Sequence, residues 1–153
     1  LNYTPLQEAA KVDSVACAEV LLKYGADVAR FDENGRMAIH TASAFNSLGV
    51  INAILDHSPD QIDMRDHKLN APLHIACKIT RTSRSDTRTT RSDGAAKLLI
   101  ERGCNIYLEE GQNLQAMHLA SASGMTTICR LLVAYGASVD AVDENGGTAL
   151  LIA

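Results

Sequence analysis

Apolar residues recur along this chain in short helical runs broken by turns, not in the strict alternation of a half-buried strand. Leu6 and Ala9, three apart, share one helix face. Val15, Val20, Leu21 and Leu22 give a second short helix its buried side. Thr4-Pro5 suits the start of the first helix, since Thr can cap it and Pro fits the first helical position. Asp13-Ser14 breaks the chain and offers a cap for the second helix. Gly25 ends that helix, where a left-handed conformation favours glycine. Asn34-Gly35 then marks a tight turn. The pattern predicts a helix, a turn, a second helix and a looped finger.

That unit repeats. Thr4-Pro5-Leu6-Gln7-Glu8-Ala9 returns as Met37-Ala38-Ile39-His40-Thr41-Ala42, as Ala71-Pro72-Leu73-His74-Ile75-Ala76, as Gln115-Ala116-Met117-His118-Leu119-Ala120 and as Thr148-Ala149-Leu150-Leu151-Ile152-Ala153. The spacings are 33, 34, 44 and 33 residues. Leu21-Leu22-Lys23-Tyr24-Gly25-Ala26 keeps step as Leu99 to Cys104 and as Leu132 to Ala137, and is decayed at Ile54 to Pro59. Asp32-Glu33-Asn34-Gly35 recurs as Asp143-Glu144-Asn145-Gly146.

A period of about 33 residues carrying T-P-L-H-x-A resembles the ankyrin-repeat family, over the whole chain except one insertion. The resemblance implies a mostly α fold: an α-solenoid of stacked helix–turn–helix repeats with short β-hairpin fingers. On that register repeat 1 covers 1–31 with its first finger missing, repeat 2 covers 32–65, and repeat 3 covers 66–109 with an insertion at about 80–92. Repeat 4 covers 110–142, and 143–153 begins a truncated repeat 5. No unit buries its apolar face alone, so stability comes from neighbour interfaces. The apolar end Leu150-Leu151-Ile152-Ala153 reads as a fragment of a longer array, prone to association.

Composition narrows the function. The 153 residues carry a net charge of −4, which argues against general nucleic-acid binding. No run of about 18 apolar residues exists, so this segment does not itself insert in a membrane. Cys17, Cys77, Cys104 and Cys129 are scattered without a CxxC pair; they predict neither zinc nor a disulfide framework and suit a reducing, cytoplasmic setting, the nucleus included. Cys17, Cys77 and Cys129 read as small core residues in helices, and Cys104 as buried.

Candidate chemistry is sparse. His40, His74 and His118 share one slot, and a row of ligands at helix-packing distance of about 10 Å cannot meet one metal ion. The slot is instead expected to hydrogen-bond the backbone of a neighbouring unit. His57 and His67 read as surface residues. No HExxH, GxSxG, P-loop or GxGxxG is present, and the acidic pairs Asp32-Glu33 and Glu109-Glu110 are expected to be solvated at loop tips. No catalytic residue, metal or cofactor is therefore assigned, and the chain is not read as an enzyme.

The resemblance implies a protein-binding groove formed by the fingers and the exposed ends of the inner helices. Carried over slot by slot, its candidate residues are Tyr3, Phe31, Glu33, Arg36, Phe45, Arg65, His67, Lys68, Lys78, Gln112 and Glu144. Phe31 and Phe45 are the phenylalanines of the chain and suit interface anchors; the alternative for both is to pack sideways on the next finger. Arg36, Arg65, Lys68 and Lys78 cluster centrally, which suits an acidic or phosphorylated peptide. Leu69 and Asn113 replace the finger glycine, so the third finger is expected to be distorted. The polar insertion holds Arg84 three residues before Thr87, a spacing that basophilic kinases accept, which makes Thr87 a candidate regulatory site. The function expected is an adaptor or scaffold that binds another protein or peptide. The alternative is the cytoplasmic ankyrin stack of a larger membrane protein, such as an ion channel, serving assembly or mechanical coupling.

Overall fold

The computed structural model describes residues 3–78, 93–112 and 114–152. The insertion, Thr87 included, lies outside the described residues, as does Asn113. Short helices alternate along the chain: α1 (Pro5–Lys11), α2 (Val15–Lys23), α3 (Ala38–Ala44), α4 (Leu48–His57), α5 (Pro72–Cys77), α6 (Gly94–Glu101), α7 (Ala116–Ala122), α8 (Thr126–Ala134) and α9 (Ala149–Ile152). The odd-numbered helices pack successively on one another and form an inner layer. Helices α2, α4, α6 and α8 do the same in an outer layer, and each inner helix packs on the outer helix that follows it, as far as α8. The architecture is a two-layered helical solenoid.

Small residues set the inner spacing. Ala10, Ala42 and Ala120 are fully buried, so inner helices approach closely without a side chain between them. Leu6, Ile39, Leu73 and Met117 fill the same slot in successive helices, and Leu22, Leu55 and Ile100 do so in the outer layer, all within one buried cluster. The expected buried side of α2 is corrected here: Leu22 and Ala18 are buried, whereas Val20 is 55% exposed. Cys17 is exposed as well and is no core residue. In α4, α6 and α8 the slot of Cys17 holds Val50, Ala95 and Ile128, each buried by the outer helix before it. No outer helix stands on that side of α2 among the described residues.

Helix ends follow local chemistry. Thr4 Oγ1 accepts from the Gln7 amide at 3.2 Å, and Gln7 Oε1 accepts from the Thr4 amide at 2.8 Å, closing a capping box. Asp13 acts differently from expectation. At φ 51° it turns its carboxylate to the next outer helix and accepts from the Val50 amide at 3.0 Å. Asn46, at φ 56°, repeats this with the Ala95 amide at 2.7 Å. Each cap therefore serves the unit that follows. After α2, α6 and α8 the chain turns through Gly25, Gly103 and Gly136 at φ 84–94°. After α4 the glycine slot holds Ser58, which is followed by Pro59 and stays extended. A 3-10 turn at Pro59–Asp63 takes up the extra residue.

The fingers are tight turns, not strand pairs. Among the described residues only isolated bridges occur there, Glu109 to Gln115 and Val142 to Thr148.

Candidate functional site

Three of the described fingers are each organised by one aspartate. Asp32 Oδ1 accepts from the amides of Asn34 and Arg36 at 2.8 and 3.0 Å. Asp66 Oδ1 accepts from Lys68 and Asn70, both at 2.8 Å, and Asp143 Oδ1 from Asn145 and Gly147 at 2.8 and 2.7 Å. Spanning the turn with these bonds turns the aspartate inward and the next residues outward. Asp32 and Asp66 are buried, and Glu110 in the same slot is only 6% exposed. One acid of each supposed solvated pair is therefore buried, while Glu33 and Glu109 are exposed.

Neighbouring fingers are joined through the backbone. The His67 amide donates to Asn34 O at 3.1 Å, and the Gly111 amide to Lys68 O at 3.2 Å. Gly35 is required at its contact: a Cβ there would lie 2.3 Å from the His67 ring and 2.6 Å from the His67 backbone nitrogen. Phe31 meets the edge of His67 with ring centroids 5.6 Å apart.

Behind the fingers runs a row of buried polar side chains. The His40, His74 and His118 Nδ1 atoms accept from the amides of Met37, Ala71 and Gln115 at 3.2, 3.0 and 3.2 Å. Their Nε2 atoms donate to Met64 O and Asn70 O (3.0 and 3.2 Å), to Leu108 O (2.8 Å) and to Ala141 O (2.9 Å). This geometry calls for the neutral tautomer with its proton on Nε2. Burial also lowers the pKa of His40 and of His74 below the ordinary histidine value. Gln7 performs the same service one unit earlier, its Nε2 donating to Arg36 O at 2.8 Å. The slot is thus a backbone-pinning rung, as expected from sequence.

A family model for ankyrin repeats in three copies matches residues 1–66 and 89–153. The chain belongs to the ankyrin-repeat family. It is 31% identical over 170 residues to an ankyrin repeat protein, nuc-2, of Neurospora crassa, covering 96% of this chain and 16% of that protein. Over 142 residues it is 23% identical to a homolog of the transient receptor potential cation channel subfamily A member 1 from Caenorhabditis elegans, covering 93% and 11%. It is 24% identical to Rabankyrin-5 of Mus musculus over 173 residues, covering 97% and 15%. The chain spans about a sixth or less of these relatives. Ankyrin repeats are in general protein-interaction modules rather than enzymes. No helix among the described residues is long and apolar enough to cross a membrane.

The ankyrin fingers sort the candidate residues. Phe31 is 56% exposed despite its contact with His67, and Phe45, at the C-terminal cap of α3, is 51% exposed. Arg65, His67, Lys68, Gln112, Glu33 and Glu144 are exposed. Tyr3 is half-buried under Lys11, whose Nζ lies 3.4 Å from its ring centre. Two of the four central cations are engaged within the ankyrin stack itself. Arg36 Nε lies 3.3 Å from the buried Asp32 carboxylate. Lys78 Nζ is 2.6 Å from both Glu110 Oε2 and Asn70 Oδ1. The expected central cluster of four is thereby reduced to Arg65 and Lys68 as exposed cations. Spacing could not reveal this, because Lys78 and Glu110 are 32 residues apart.

The third finger corrects a second expectation. Leu69 accepts φ 62° and its amide donates to Asp66 O at 3.0 Å, as Gly35 does to Asp32 O at 2.9 Å. The turn is kept, with leucine in a conformation that suits glycine. The buried thiols carry no comparable signal: burial pushes Cys104 up to about 12 and raises Cys77 as well, which leaves both unreactive at neutral pH.

Proposed function

We propose that this chain is a non-enzymatic adaptor or scaffold segment that binds a partner protein or peptide along its fingers and inner-helix ends. Five repeat units are proposed, divided near residues 31, 65, 109 and 142. One observation carries the reading. The aspartates that recur from finger to finger, Asp32, Asp66 and Asp143, are consumed by the turns, whereas slots whose residues vary display exposed side chains: Phe31, Arg65, His67, Lys68 and Gln112. Variation displayed on a fixed frame suits selective recognition. Phe45 supplies an apolar anchor at the inner-helix end, and Arg65 and Lys68 favour an acidic or phosphorylated partner. A cytoplasmic or nuclear setting fits this role. The test is affinity capture from cytosolic lysate with the wild type and with a Phe45→Ala, Arg65→Glu variant. Loss of a captured protein in the variant supports the proposal; equal recovery from both refutes this placement.

A second reading rests on the similarity to two channel proteins of the subfamily A member 1 type, from Caenorhabditis elegans and Drosophila melanogaster. On that reading the stack is one stretch of a channel's ankyrin array and serves assembly or mechanical coupling. Sequencing the gene on both sides separates the two. Apolar stretches of about twenty residues in the same frame support the channel, and their absence leaves the adaptor.

A further inference from the structure

The third finger is the one described finger that keeps its turn at the cost of backbone strain. Its slot holds Gly35 at φ 73° and Gly146 at φ 76° in the Asp32 and Asp143 fingers, but Leu69 at φ 62° in the Asp66 finger. A bulky residue in the left-handed region is strained, by about 1–3 kcal/mol in general. Packing does not explain it. Leu69 is 48% exposed and lies outside the buried cluster. Turn geometry does not explain it either, since the same hydrogen bonds form around Gly35. What the strain achieves is display. The finger is tied to the fingers on both sides, through His67 to Asn34 O and through Lys68 O to Gly111, so its tip is held rigid. On that tip an aliphatic side chain stands beside the exposed Lys68, with exposed Arg65 at the finger's base. The finger's own acid, Asp66, is buried and occupied by the turn. A rigid apolar knob flanked by cations, on a finger without an exposed carboxylate, complements an apolar side chain flanked by carboxylates.

We infer that Leu69 is the principal apolar anchor of the partner site, and that its occupant is an acidic segment of a partner protein carrying large apolar side chains. This rests on the binding role proposed above and adds the residue and the chemistry.

The experiment is selection of short random displayed peptides, about a dozen residues long, on the immobilised chain. Binding of the enriched peptides is then measured by fluorescence anisotropy. Enriched peptides are expected to combine Leu, Ile, Phe or Trp with flanking Asp or Glu. Their affinity should fall about tenfold or more on Leu69→Gly and on Lys68→Glu, and stay within about threefold on Leu69→Met. The Leu69→Gly chain should melt no lower than the wild type, which separates lost contact from lost fold. Enriched peptides that bind Leu69→Gly as tightly as the wild type overturn the inference, as does enrichment without acidic residues. If those same peptides lose affinity on Phe45→Ala, Arg65→Glu, the binding role survives without the Leu69 anchor; no enrichment at all counts against both.

Discussion

The rung formed by Gln7, His40, His74 and His118 and the row of fingertips are built by the same repeat and behave oppositely. The rung side chains are buried and every polar atom described there is matched to backbone. The tips hold their backbone equally well but release their side chains to solvent. The difference separates side chains committed to holding the stack from side chains free to meet a partner. Gln7, His40, His74 and His118 each accept from one amide and donate to a carbonyl of the next unit. The exposed tip slots carry different residues from finger to finger, and the glycine slot holds a strained leucine in the third.

The largest expected effect tests the rung. His74→Ala leaves the Ala71 amide and the Leu108 carbonyl unmatched and should lower stability by about 3 kcal/mol in urea unfolding. His74→Gln should recover at least half of that, because Gln7 already makes the equivalent pair of bonds. A glutamine as damaging as alanine would break the equivalence of the four positions.

Next comes the place where a candidate binding residue has been absorbed into the frame. Lys78→Met strands the buried Glu110 carboxylate and should cost about 2 kcal/mol, less than a fully buried pair because Lys78 is half-buried. Adding Glu110→Met should restore most of it in a double-mutant cycle. No recovery would mean that Lys78 acts through some other contact.

The third test is pH. Burial lowers the pKa of His40 and His74, so the unfolded chain takes up their protons first as pH falls. Their contribution is fully present above the unfolded value of about 6.5 and is lost as pH falls toward the depressed folded values. The limiting slope is about 1.4 kcal/mol per pH unit for each histidine. Unfolding series between pH 7 and 5 should show this decline, and the His40→Gln, His74→Gln double variant should flatten it.

The smallest effect is a gain. Leu69→Gly should raise stability by about 1 kcal/mol, read as a higher melting temperature. A loss would show that the leucine packs usefully after all.

The repeat and the helix start at Thr4 were legible in the sequence because they depend on residues within a few positions, as Thr4 with Gln7, and the rung because the family resemblance implied its bond to the next unit. What was not legible depends on neighbours a whole unit away. Asp13 meets Val50, and Lys78 meets Glu110. Of the candidate site, the exposure of Phe45, Arg65, His67 and Lys68 followed from their slots, whereas the engagement of Arg36, Lys78 and Tyr3 did not. Leu69 drew notice as an anomaly of conformation. That it keeps the turn at its own expense became visible only with the backbone.

The caps supplied by Asp13 and Asn46 to the following outer helix bear on how such a gene can grow. Gly124 occupies their slot, at φ 67°, and has no side chain to offer. Tandem duplication of the stretch carrying Asn46 would bring a ready-made cap to each new copy. Duplicating the stretch that carries Gly124 would leave each new outer helix without that side-chain cap. The repeats are alike in shape but unequal as seed for expansion.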